Sequence, residues 1–141
     1  MVNMNTMAPA TRSDGQISFN GLRILVVDDD RNTREMLSEI LRIYDAEVKT
    51  AESVAVARKL YQAWSPTLLV SDVGMPDEDG YDLIRSIRAL PRGQTTKAIA
   101  ITGYTRDEDR ALALAAGYDI FLSKPVDLDQ LINLIAEINT T

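Results

Sequence analysis

The sequence contains neither cysteine nor histidine. That double absence excludes a disulfide framework, a thiol nucleophile and the usual transition-metal ligands, leaving oxygen donors of the kind that suit Mg²⁺ or Ca²⁺. No apolar run approaches the roughly 20 residues a membrane span requires. Residues 1–20, rich in Asn, Thr, Ser and Met, also lack the hydrophobic stretch of an export signal, so a cytoplasmic location and no membrane partner are expected. Positive charge is in short supply: 15 Lys and Arg stand against 21 Asp and Glu, for a net charge of -6. Because phosphate-backbone binding relies on clustered Lys and Arg, and none is clustered, direct nucleic-acid binding is not expected.

What remains is ordinary globular material. The 141 residues are 45% hydrophobic and 26% charged, enough for one domain with its own core. Residues 1–20 lack periodicity and contain Pro9, Asp14 and Gly15, which reads as an extension or linker, with the domain spanning 21–141. Short continuous apolar runs then mark strands buried on both faces: Ile24 to Val27, Leu68 to Val70 and Ala98 to Ile101. Further strands are expected at Ala46 to Thr50 and Asp119 to Leu122.

Helical spacing fills the intervals. Asn32 with Glu35 resembles a capping box ahead of Met36, Leu37, Ile40, Leu41 and Tyr44. A second helix runs from about Ser53, and a third carries Leu83, Ile84, Ile87 and Leu90. Thr105 with Glu108 opens a fourth, whose expected apolar side is Ala111, Leu112, Leu114 and Ala115, with Gly117 as its stop. Asp127 with Gln130 opens the last, where Leu128, Leu131, Ile132, Ile135 and Ile138 share a face. Five strand-then-helix repeats call for an α/β fold, a parallel sheet with helices on both faces.

Such sheets bind ligands beyond the carboxyl ends of their strands. There the sequence places Asp28, Asp29 and Asp30 after the first strand, Asp72 after the third, Thr102 after the fourth and Lys124 after the fifth. Each alone has a plain explanation: a helix-capping carboxylate, a satisfied hydroxyl, a surface lysine. At four strand ends together they need a coincidence. Clustered carboxylates suit Mg²⁺, and two can hold an ion while a third attacks phosphorus, since aspartate forms aspartyl-phosphate. A lysine ammonium and a hydroxyl complete a site for phosphoryl transfer, which is mostly charge stabilisation and in-line positioning.

Four ordered motifs, Val26-Val27-Asp28-Asp29-Asp30, Ser71-Asp72-Val73-Gly74-Met75-Pro76 with Asp79-Gly80, Ile101-Thr102-Gly103 and Phe121-Leu122-Ser123-Lys124-Pro125, resemble those of the receiver domain of two-component response regulators. The resemblance covers about Gly21 to Asn139 and implies a flavodoxin-like, doubly wound five-stranded sheet of order 2-1-3-4-5. It implies Asp72 as phosphoacceptor, Asp29 as direct Mg²⁺ ligand, Asp28 as a second acid often acting through water, and the Gly74 carbonyl as a further ligand. Lys124 corresponds to the phosphoryl-binding lysine, Thr102 to the switch hydroxyl and Phe121, where many relatives carry tyrosine, to the aromatic switch that turns inward. The bond before Pro125 is often cis in the family.

The implied function is a phosphorelay switch rather than a conventional enzyme, catalysing its own phosphorylation and dephosphorylation. Its phosphodonor would be a histidine kinase or histidine phosphotransfer protein, its output an unknown downstream protein, and its state a monomer or weak dimer. Parts of the chain look similar to receivers joined to hybrid kinases. The alternative is a Mg²⁺-dependent aspartyl-phosphate phosphohydrolase, but the related phosphatases carry a second aspartate where this chain has Gly74. An FMN-binding flavodoxin would need a phosphate cradle where Asp28 to Asp30 repel phosphate.

Overall fold

The computed structural model describes residues 17–75, 79–103 and 107–139. Strands β1 (Arg23–Val27), β2 (Glu47–Ala51), β3 (Leu68–Asp72), β4 (Lys97–Thr102) and β5 (Ile120–Ser123) alternate with helices α1 (Arg31–Ile43), α2 (Val54–Trp64), α3 (Gly80–Arg88), α4 (Asp107–Ala116) and α5 (Leu128–Ile138). All strand pairs are parallel and the order is β2-β1-β3-β4-β5, as the resemblance implied. None of the helices among the described residues is long and apolar enough to cross a membrane.

Pleating sends successive side chains of each strand to opposite faces, which explains why the central strands are apolar throughout. Ile24 and Val26 join Leu37 and Leu41 of α1 and Leu131, Ile132 and Ile135 of α5 in one core. Leu25 and Val27 join Val54, Ala57 and Tyr61 of α2, Leu83, Ile84 and Ile87 of α3, and Ala113 of α4 in the other. The alternating register leaves the strands' carboxyl ends level, so Asp72 of β3 lies beside Ile101 of β4, and Thr102 beside Ser123.

Three expectations are corrected. The boundary after Asn20 comes too late: Phe19 is fully buried, its amide donates to the Tyr44 carbonyl at 2.6 Å, and the two rings pack with centroids 5.6 Å apart. An aromatic pair hides more apolar surface than either ring could alone, so residues 17–20 belong to the folded unit. The cap of α1 is Asp30 rather than Asn32, with its side chain accepting from the Thr33 amide. In α4 the buried position is Ala113, whereas Leu112 and Leu114 are 52% and 45% exposed. Apolar residues run all the way round residues 111–116, so spacing had no contrast from which to choose a face. Gly117 does follow α4, with φ +131°, a conformation glycine adopts without strain.

Candidate functional site

The three acids after β1 take three different places. The Asp28 amide donates to the Ala51 carbonyl (3.1 Å), extending the ladder by one bond, and this carries the carboxylate inside, 2% exposed. Its Oδ1 accepts from the Asp30 amide at 2.9 Å and its Oδ2 from Lys124 Nζ at 3.1 Å. Asp29 stays exposed, and Asp30 is occupied by the helix cap. Part of the positive compensation that adjacent carboxylates require comes from Arg34, whose guanidinium donates to the Asp28 carbonyl (2.8 Å).

Asp72 ends β3 and is 7% exposed. The Gly74 amide donates to its Oδ1 at 3.2 Å, while Lys124 Nζ lies 3.4 Å from its Oδ2. Lys124 gets there because β5 ends beside β4: its own amide donates to the Thr102 carbonyl (2.8 Å), and the peptide to Pro125 is cis. One ammonium thus bridges two buried carboxylates that would otherwise repel. Asp28, Asp29 and Asp72 each offer a carboxylate oxygen, and these lie within 4.8 Å of one another.

Burial pushes the Asp28 carboxyl above its usual range, and the Asp72 charge adds to this, against the hydrogen bonds from the Asp30 amide and Lys124. For Lys124, burial works against the charged form but is outweighed by the hydrogen bond to Asp28 and the charges of Asp72 and Asp28. Its pKa therefore stands above the ordinary lysine value. The ammonium is charged at neutral pH. An oxygen-only set of three clustered acids, two of them buried, fits a hard divalent ion such as Mg²⁺.

Thr102 is 1% exposed at the end of β4, between the strands that carry Asp72 and Lys124. Phe121 is already inside, 5% exposed, with the Arg110 guanidinium 5.0 Å from its ring centroid. Tyr104, Thr105 and Pro76 lie outside the described residues.

Two participants were not anticipated. Gly80 opens α3, its amide donating to the Val73 carbonyl (3.0 Å); a Cβ there would stand 2.6 Å from the Asp72 carbonyl oxygen. Tyr118, buried between α4 and β5, donates its hydroxyl to the Gly80 carbonyl (2.8 Å). In the sequence, Gly80 stands within the Asp79-Gly80 motif with no role assigned to it, and nothing singles out Tyr118. The signal that was there is the size of the neighbours, since Ala98, Ala100 and Ala113 leave room in the same core for a large ring.

The profile of the response regulator receiver domain matches residues 24–136. An uncharacterized 14.6 kDa protein from the sodA1 3′ region of Leptolyngbya boryana is 47% identical over 114 residues, covering 81% of this chain and 87% of that protein. The sensor histidine kinase RcsC of Salmonella typhi is 35% identical over 119 residues, 84% of this chain but 12% of the kinase. Among solved structures, a response regulator receiver protein from Pseudomonas putida superposes with a TM-score of 0.75 at 35% identity, covering 82% of this chain and 96% of that one. With its sheet order, its strand-end acids and these matches taken together, the chain belongs to the response regulator receiver domains of two-component signalling.

Proposed function

We propose that this receiver accepts a phosphoryl group on Asp72 from a phosphohistidine donor, a histidine kinase or a histidine phosphotransfer protein. The observation that carries the reading is the Lys124 ammonium, 3.1 Å from Asp28 and 3.4 Å from Asp72, with Asp29 in the same cluster. An Asp72 carboxylate oxygen attacks phosphorus, an O–P bond forms as the donor's P–N bond breaks, and the leaving imidazole nitrogen recovers its electron pair. Lys124 is placed to follow the charge from the carboxylate onto the phosphoryl oxygens, and the Thr102 hydroxyl to bond one of them. Asp28, Asp29, Asp72 and the Gly74 carbonyl would hold Mg²⁺, which when bound neutralises charge on the transferring group.

Output follows from the same charges. A new charge of about -1.5 to -2 at Asp72 draws Thr102 and Lys124 toward it and displaces α4 within the face formed by α4, β5 and α5, which an unknown downstream protein reads. Phe121, 5% exposed beneath Arg110, is proposed to turn inward beside Thr102 as α4 is displaced. The domain is proposed to work as a monomer or weak dimer.

Incubation with a small phosphodonor, with and without Mg²⁺, followed by intact mass is the test. A single adduct that requires Mg²⁺ and is lost in Asp72→Asn supports the reading; an adduct surviving in Asp72→Asn contradicts it. Rapid multiple-turnover release of phosphate without a detectable adduct would instead favour a phosphohydrolase.

A further inference from the structure

Gly80 is held from two sides. On one side, a Cβ at this residue would lie 2.6 Å from the Asp72 carbonyl oxygen and 2.9 Å from Val73 Cα, so the first residue of α3 rests directly on the peptide that follows the phosphoacceptor. On the other, the Tyr118 hydroxyl would stand 3.0 Å from the same Cβ, and it donates to the Gly80 carbonyl at 2.8 Å. The Gly80 amide meanwhile donates to the Val73 carbonyl, joining the two ends of the loop between β3 and α3. Tyr118 itself is 3% exposed and follows Gly117, the residue that terminates α4. Burial pushes its phenol far above the usual range, so it remains a neutral donor.

We propose that Tyr118 is a positioning residue for Asp72: its buried hydroxyl clamps Gly80 against the Asp72-Val73 backbone and ties the end of α4 to the phosphoacceptor loop. The tie reaches the Asp72 backbone rather than its carboxylate: the Tyr118 hydroxyl donates to the Gly80 carbonyl and also meets the Ser71 side chain, whose own hydroxyl donates to the Asp72 carbonyl (2.9 Å). A loop held this way keeps the Asp72 carboxylate aimed between Lys124 and the Gly74 amide before any donor arrives, and misplacement by a fraction of an ångström is costly for in-line attack. The inference rests on the Asp72 reading, but the clamp has a readout of its own.

The test compares Tyr118→Phe with Tyr61→Phe in the full chain. Both remove one buried tyrosine hydroxyl; that of Tyr61 bonds to Thr96 Oγ1 (2.7 Å), just before the start of β4 and away from the acids at the strand ends. Amide exchange measured without Mg²⁺ or donor is expected to speed up at Gly80 by about tenfold in Tyr118→Phe, the worth of one buried hydrogen bond, and not in Tyr61→Phe. With Mg²⁺ and acetyl phosphate, the maximal phosphorylation rate should fall several-fold in Tyr118→Phe while half-saturating donor concentration stays the same. Unchanged Gly80 exchange in Tyr118→Phe overturns the clamp, and an equal loss of rate in Tyr61→Phe overturns the positioning role in favour of general destabilisation. Wild-type protein that forms no adduct at Asp72 would defeat the phosphoacceptor reading instead, with the exchange arm still deciding the clamp.

Discussion

Helices α4 and α5 flank the same strand, yet they are held in place very differently. α5 buries Leu131, Ile132, Ile135 and Ile138 and is capped by Asp127, whose side chain accepts from the Gln130 amide at 3.1 Å. α4 buries Ala113 and leaves Leu112 and Leu114 largely exposed. Burying a branched aliphatic side chain stabilises by about 1.5 to 3 kcal/mol, whereas an alanine methyl contributes a fraction of that. A helix held on the core by Ala113 and the partly buried Ala116 is anchored less firmly than one that buries four aliphatic side chains, so on the proposed reading α4 is the part expected to shift when charge changes at a neighbouring strand end. What ties α4 to the site is polar and aromatic rather than aliphatic: Arg110 over the Phe121 ring, and Tyr118 on Gly80.

Five substitutions sharpen or break this contrast. Ile135→Ala in α5 should cost about 2 to 5 kcal/mol in urea unfolding, because it empties a fully buried position. A smaller change of opposite sign is expected for Asp28→Asn. Since the folded protein holds this carboxyl above its unfolded pKa of 3.8, stability falls as pH rises from 3.8 through the raised value, and the ionised acid is a burden at neutral pH. The substitution should therefore raise the melting temperature in metal-free buffer at pH 7, with the advantage shrinking as pH is lowered toward 4. No gain at pH 7 would mean that the bond to Lys124 outweighs the burial.

Arg110→Ala removes the cation from the Phe121 ring and should cost about 0.5 to 1 kcal/mol by the same urea assay. Leu112→Ala, at an exposed site on the same helix, should stay within about 0.5 kcal/mol of wild type. A Leu112 effect as large as that of Ile135 would abolish the distinction between the two helices. For Lys124 stability again falls as pH rises, but here the charged form is the favoured one. Its raised folded pKa means that its contribution is fully present below the ordinary lysine value of 10.5 and is lost as pH rises through the raised value. Alkaline titration of wild type against Lys124→Met should show that loss only in wild type.

The parts of this molecule legible in its sequence are those where a single strong physical demand acts. Strands buried on both faces must be apolar at every position, and so Ile24 to Val27 and Leu68 to Val70 announced themselves along with the acids at their ends. Where two demands compete, the reading failed. Asp30 serves as a helix cap inside a run of carboxylates that also suits a metal, while Asn32 with Glu35 offered a competing capping box two residues later, and this hid the true start of α1. Residues 17–20 were lost because the stretch 1–20 has no periodicity of its own, and the partner of Phe19, Tyr44, lies 25 positions away by number. The Tyr118 contact with Gly80 joins residues 38 apart, and no local pattern encodes such a pairing. Lys124 and Asp28 are 96 apart, and they came together on paper only through the shared edge that a parallel sheet imposes.

The central claim is that charge added at Asp72 moves α4 while α5 remains fixed. Residue-resolved amide exchange on the full chain, with Mg²⁺ and with or without a small phosphodonor, tests it most directly. The account predicts altered exchange across Asp107 to Ala116, little change across Leu128 to Ile138, and no donor-dependent change in Asp72→Asn. Equal changes in both helices, a stoichiometric adduct that leaves α4 unaltered, or a response that persists in Asp72→Asn would contradict it.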